Sequence, residues 1–134
     1  MKVEINMKLP SLNEYVSANR TVSGGYFAGA KMKSEIEEGI MYSLARLPKI
    51  TKPVFIRFTW IEKNKRRDKD NIGFGKKFIL DALQKSGKLE NDNWKWIRGF
   101  SDTFEIGDDY KVILDIEEVE DGGDQMDKTI NRSL

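Results

Sequence analysis

The sequence predicts an α+β domain, a mixed β-sheet with helices packed on one face, in the order β-α-β-α-β-β. Three observations carry this. Apolar and polar residues alternate strictly over 3–9 and again at Val112, Leu114 and Ile116, the period of a half-buried strand. Segments 31–46 and 70–85 carry apolar stripes at helical spacing. Between them, 53–61 is rich in β-branched and aromatic residues. With 134 residues, the chain is long enough for one domain with a substantial core.

Val-Glu-Ile-Asn-Met-Lys-Leu over 3–9 is the first strand, ended by Pro10. Residues 11–30 are rich in Ser, Asn, Gly and Tyr and read as a long loop with a turn at Gly24-Gly25. Met32, Ile36, Ile40, Met41 and Leu44 give the helix over 31–46 its apolar face, with Pro48 beyond its end. Pro53 to Ile61 is a central strand, apolar on nearly both faces. Asp70 or Asn71 is placed to cap the next helix, whose regular part starts near Lys76 because Gly73 and Gly75 weaken its first turn. Gly87 follows as its C-terminal glycine. A polar loop over 88–93 leads to a strand over 94–106, bulged at Gly99. Gly107-Asp108-Asp109 then reads as a hairpin turn into a last strand over 110–119. Residues 1–119 form the domain, and 120–134 an acidic and polar tail without periodicity, expected to lack fixed structure.

The chain has no cysteine and no histidine. That excludes disulfides, thiol nucleophiles, imidazole bases and zinc sites built on Cys or His. Enzymatic chemistry would have to run on Asp, Glu, Lys, Arg, Ser, Thr or Tyr, or on a hard cation held by carboxylates. A net charge of +1 hides a split. Residues 63–77 hold seven cations against Asp68 and Asp70, a block of +5, whereas 101–124 hold ten acids against Lys111, a block of −9. The basic block suits a polyanionic partner, although on charge alone a solvated lysine-rich loop explains it equally well. With no apolar run near membrane-spanning length and no apolar signal core, the chain is expected to be cytoplasmic, with no membrane partner.

The informative run is Arg66-Arg67-Asp68-Lys69-Asp70-Asn71. Two aspartates two residues apart in extended chain point to one side, and their repulsion calls for cations or a divalent metal. Asp-x-Asp after a central strand in basic surroundings fits metal-assisted phosphate chemistry, although the pattern alone is weak and common in surface loops. An EF-hand from Asp68 fails at Ile72 and Ile79, and a Walker loop at Gly75-Lys76 fails at Asp70 and Lys77. In a continuous helix from Asp70, Lys77 and Asp81 return to its azimuth. Lys77 would then be a phosphate-contacting lysine, or merely half of an i,i+4 pair. Asp92, in the loop Glu90-Asn91-Asp92-Asn93, is a further carboxylate or a plain turn former.

Arg67-Asp68-Lys69-Asp70-Asn71, Lys77, Phe78-Ile79-Leu80-Asp81-Ala82-Leu83 and Leu89-Glu90-Asn91-Asp92, with Leu9-Pro10-Ser11-Leu12-Asn13-Glu14-Tyr15 ahead of them, resemble the RusA family of Holliday junction resolvases. The resemblance spans about 5–118. It implies a RusA-like fold and a homodimeric endodeoxyribonuclease that cuts four-way DNA junctions symmetrically. It implies Mg²⁺, with Mn²⁺ as a substitute, held by Asp68, Asp70 and Asp92, and Lys77 as the catalytic lysine. Extra residues around Ile72–Lys76, relative to the founding member, make Lys76 a rival. Asn71 and Asp81 would support the site. Arg20, Lys31, Lys63, Lys65, Arg66, Arg67, Lys69 and Lys76 would hold the DNA backbone, joined by Asn13, Tyr15 and Tyr26 of the 11–30 loop. Alternatives are a nuclease acting on forks, flaps or single strands, a non-catalytic DNA-binding module, and an interaction protein using Trp94, Trp96 and Phe100.

Overall fold

The computed structural model describes residues 1–20 and 25–120, with side chains throughout except at 25–28. The tail, apart from Glu120, lies outside the described residues. The chain runs β1 (Lys2–Ile5), α1 (Leu12–Arg20), α2 (Gly25–Ser43), β2 (Val54–Glu62), α3 (Lys69–Gly73), α4 (Lys76–Lys85), β3 (Ile97–Ile106) and β4 (Lys111–Glu118). The fold is α+β, with one four-stranded mixed sheet in the order β1-β4-β2-β3.

Register explains the core. Antiparallel pairing sets Ile56 opposite Ile116, Phe58 opposite Leu114 and Trp60 opposite Val112. Val3 faces Leu114 and Ile5 faces Val112 on the outer strand. All of these are buried, with Ile40 and Leu44 of α2 and Phe78, Ile79, Ala82 and Leu83 of α4 in the same cluster. The alternation puts them on one sheet face, and α2 and α4 cover it. The other face, with Phe55, Arg57 and Thr59, is partly open.

Four expectations change. β1 stops at Ile5, paired with Val112, one residue short of the start of β4 at Lys111. Much of the 11–30 segment is helical. Ser11 caps α1, its Oγ accepting from the Glu14 N–H at 3.1 Å. The order is therefore β-α-α-β-α-α-β-β. The capping residue before Lys69 is Asp68, whose carbonyl accepts from the Ile72 N–H, rather than Asp70 or Asn71. Finally, 107–109 is no hairpin turn, since β3 pairs in parallel with β2 and β2 stands between β3 and β4. The Gly107 N–H reaches over to the Glu62 carbonyl at 2.9 Å as the chain crosses the end of β2. The irregularity in β3 falls at Arg98, between the pairs Val54–Ile97 and Phe55–Gly99. No described helix is long and apolar enough to cross a membrane.

Candidate functional site

The parallel β2-α3-α4-β3 unit creates a cleft where β2 ends. Glu62 is the last residue of β2 and sits on its buried face, 7% exposed. A carboxylate there needs a partner. Arg67 supplies it, its Nε and Nη2 donating to the two Glu62 oxygens at 2.9 and 2.8 Å while Nη1 donates to the Leu9 carbonyl at 2.7 Å. Burial alone would lower the Arg67 pKa, but the hydrogen bonds and charge of Glu62 outweigh it and hold the pKa above its ordinary value. This clamp folds 63–67 back onto the strand and delivers Asp68 and Asp70 to the rim.

The cleft has a volume of about 620 Å³ and is lined by Asn64, Lys65, Asp68, Lys69 and Asp70 on one side and Phe104, Glu105 and Ile106 on the other. A shallower groove of about 460 Å³ continues from it, sharing Lys69, Asp70 and Phe104 and reaching Lys76 and Asp102. Asp68 makes no capping bond with its side chain. Asp70 Oδ1 accepts only from the neighbouring Asn71 N–H at 3.0 Å, and the Asn71 Oδ1 is buried without a partner. Both aspartates are exposed.

The third aspartate is elsewhere. Asp92 lies just before Asn93, whose carbonyl accepts from the Trp96 and Ile97 N–H groups at the start of β3. The cleft is lined by the far end of the same strand. With roughly 3.3 Å per residue between the start of β3 and its cleft-lining end, about 25 Å separates them. Among the described residues, no three carboxylates, His or Cys stand close enough to hold a metal ion. A single chain brings Asp68 and Asp70 together but not Asp92.

The two rival lysines also separate. Lys76 is at the groove but engaged: it donates to Asp102 Oδ2 at 2.7 Å and lies over the rings of Phe58 and Phe100 at 5.2 and 4.9 Å. Trp60 Nε1 holds the other Asp102 oxygen at 2.8 Å. Lys77 lines neither cavity and stands 3.8 Å from Asp81, which also meets Lys33 of α2 at 3.2 Å. The expected shared azimuth fails because the helix is broken. Glycine is required at the break, since a Cβ on Gly75 would sit 2.9 Å from Leu9 Cδ1 and 3.1 Å from Trp60 Cζ3. Asp81 thus joins α2 to α4 and does not line the Asp68–Asp70 cleft.

Of the expected DNA-contacting groups, Lys65, Arg66 and Lys69 are exposed around the cleft. Arg67 does not serve as one, because three of its nitrogens are spent inside the fold. Tyr15 packs against Phe74 and Phe78 at 5.8 and 5.5 Å between ring centroids, half-buried against the core. Lys63 pairs with Asp109 at 3.5 Å. Asn13, Arg20 and Lys31 are exposed on α1 and α2, away from the cleft lining, and the side chain of Tyr26 is outside those described. The Arg67–Glu62 clamp and the Lys76–Asp102–Trp60 network escaped the sequence reading, and only the odd Glu62 ending an apolar strand signalled the first. No family model matches the chain, and no curated protein matches it either.

Proposed function

We propose that this chain is a divalent-metal-dependent endodeoxyribonuclease acting as a homodimer on branched DNA, four-way junctions first. The observation that carries the reading is the placing of Asp68 and Asp70 on the rim of one open cleft, with Lys65 and Lys69 beside them. The RusA-like motifs over 67–92 support it.

Mg²⁺ typically uses one or two carboxylates together with substrate phosphates, so Asp68 and Asp70 fit as its anchors. Bound Mg²⁺ or Mn²⁺ would supply Lewis-acid charge stabilisation and a water of lowered pKa. Lys65, Arg66 and Lys69 neutralise backbone phosphates on either side of the scissile bond. With no histidine in the chain, proton transfer to and from the reacting oxygens falls to carboxylate, lysine or water.

Asp70→Asn should abolish cleavage of a synthetic four-way junction in Mg²⁺ while keeping, or tightening, junction binding, because a negative charge leaves the phosphate path. Full cleavage by that variant would overturn the site. Comparing junction, fork and linear duplex separates a resolvase from a nuclease of flaps and forks. A DNA-binding module without catalysis is the second reading, favoured by the absence of a three-carboxylate group among the described residues. It predicts junction binding with no cleavage in Mg²⁺ or Mn²⁺.

A further inference from the structure

Asn93-Trp94-Lys95-Trp96 leads into β3, and 94–96 form a turn. Asn93 holds that turn from both its ends. Its carbonyl accepts from the Trp96 and Ile97 N–H groups at 3.1 and 2.9 Å. Its side-chain Oδ1 accepts from the Lys95 and Trp96 N–H groups at 3.1 and 3.3 Å. An Asn side chain bonded to the backbone two residues on is a local lock that needs no packing. The turn sends its two indoles to different places. Trp96 packs against the core, whereas Trp94 is 93% exposed. Tryptophan is mostly buried in folded chains, so an indole held almost wholly in water by a fixed turn marks a contact.

The surroundings say what kind of contact. The Ile50 N–H donates to the Lys88 carbonyl and the Val54 N–H to the Trp96 carbonyl, both at 2.8 Å, so segments 46–53 and 88–98 lie side by side. Together they carry six cations, Lys49, Lys95 and Arg98 among them, against Glu90 and Asp92. Glu118, 3.9 Å from Lys52, offsets one more. Lys95 is exposed, its ammonium over the Trp96 ring at 5.3 Å from the centroid. Arg98 Nε is buried without a partner, so its guanidinium still has a donor to give.

An open aromatic face among cations suits a nucleobase with its phosphate alongside. An apolar peptide suits it less, because docking would strip water from the same cations without pairing them. Paired duplex does not suit it, since its bases are already stacked on one another, whereas unpaired bases splay out onto aromatic side chains. β3 runs from this turn to the wall of the Asp68–Asp70 cleft at Phe104, Glu105 and Ile106. We infer that Trp94 is a stacking platform for an unpaired base of single-stranded DNA, with Lys95 neutralising an adjacent phosphate. The stacking stands on the exposed indole and its cations; the choice of DNA rests on the proposed nuclease reading.

The test is fluorescence anisotropy of a labelled oligothymidylate of about twelve nucleotides, in EDTA, where binding is read without cleavage. Trp94→Ala should weaken binding about tenfold, the order that stacking one base on an aromatic ring contributes. Trp94→Tyr should stay within about threefold of the parent, and Lys95→Gln should make the salt slope shallower by about 0.7. Affinity for a blunt duplex should be the same in Trp94→Ala and the parent. In the parent, oligothymidylate should shield one indole from acrylamide quenching, and that accessible component should be missing from Trp94→Tyr. Unchanged oligothymidylate affinity in Trp94→Ala, or an equal loss on duplex, would overturn the platform. An indole already shielded in the free protein, with the sedimenting mass halved by Trp94→Ala, would assign the turn to a second copy of the chain and overturn it too. Tighter binding of oligouridylate than of oligothymidylate would overturn the choice of DNA. Because Trp94 buries almost nothing, the melting temperature of each variant should match the parent, and a drop would assign Trp94 to the fold instead. A failure of Asp70→Asn to abolish cleavage would overturn the nuclease reading and leave these binding results standing.

Discussion

Arg67 shows how one side chain changes meaning between sequence and structure. In a run of cations it reads as a phosphate contact, yet it is the counter-ion of a buried carboxylate, with 15% and 9% of the two side chains exposed. Removing one partner of such a pair strands the other, at about 3 kcal/mol. Arg67→Ala is therefore expected to lower the melting temperature by roughly 10 °C and to release the 63–68 segment, which hydrogen exchange would show as lost protection of the Ile72 amide. An unchanged melting temperature would remove the clamp from the account. Lys33 gives a pH signature. Its hydrogen bond to Asp81, more than the opposing effect of burial, raises its pKa above the ordinary 10.5. A cationic group with a raised folded pKa contributes fully below its unfolded value and loses that contribution as pH rises through the folded one. The link between α2 and α4 should thus weaken only above about pH 10.5, and Lys33→Met should lower stability at neutral pH, where the contribution is fully present, and flatten that alkaline limb of the stability profile.

Elements were legible where a period or a punctuating residue decides them. β2, the break near Gly75, the glycine at 87 with φ +74° and the irregular start of β3 all follow from local rules. α1 was missed although Ser11-Leu12-Asn13-Glu14 carries a capping signal; its Ser and Asn content, typical of loops, outweighed that signal. Strand pairing was not legible, because a turn between two strands looks alike whether they pair with each other or flank a third. That one ambiguity decides whether Asp92 sits near Asp68 or a strand's length away. The α3–α4 break is testable at this scale. Gly75→Ala places a methyl against Leu9 and Trp60, an overpacking cost of about 1–3 kcal/mol. Urea unfolding should show a lower midpoint at an unchanged slope. A stabilised variant, as expected where alanine merely replaces glycine in an open helix, would show that the contact yields.

At the scale of the whole molecule, a net charge of +1 gives little long-range attraction for DNA. Binding must come from the few cations the fold leaves exposed near the cleft. Of the seven in 63–77, Arg67 and Lys76 are tied into internal pairs, Lys63 is paired with Asp109 and Lys77 with Asp81, leaving Lys65, Arg66 and Lys69 around the aspartates. Three phosphate contacts per chain imply a plot of log affinity against log salt with a slope of about −2.7 for a monomer and about −5 for a two-fold dimer on duplex arms. Lys65→Ala should make the slope shallower by about one per chain and weaken all DNA substrates alike, whereas Arg67→Ala should alter stability more than slope. Fluorescence anisotropy of a four-way junction from 50 to 300 mM salt would read both. A slope far steeper than −5 would require phosphate contacts beyond the cleft rim, from Arg20 and Lys31 on the helical side, and would place the DNA path across α1 and α2 rather than along β3.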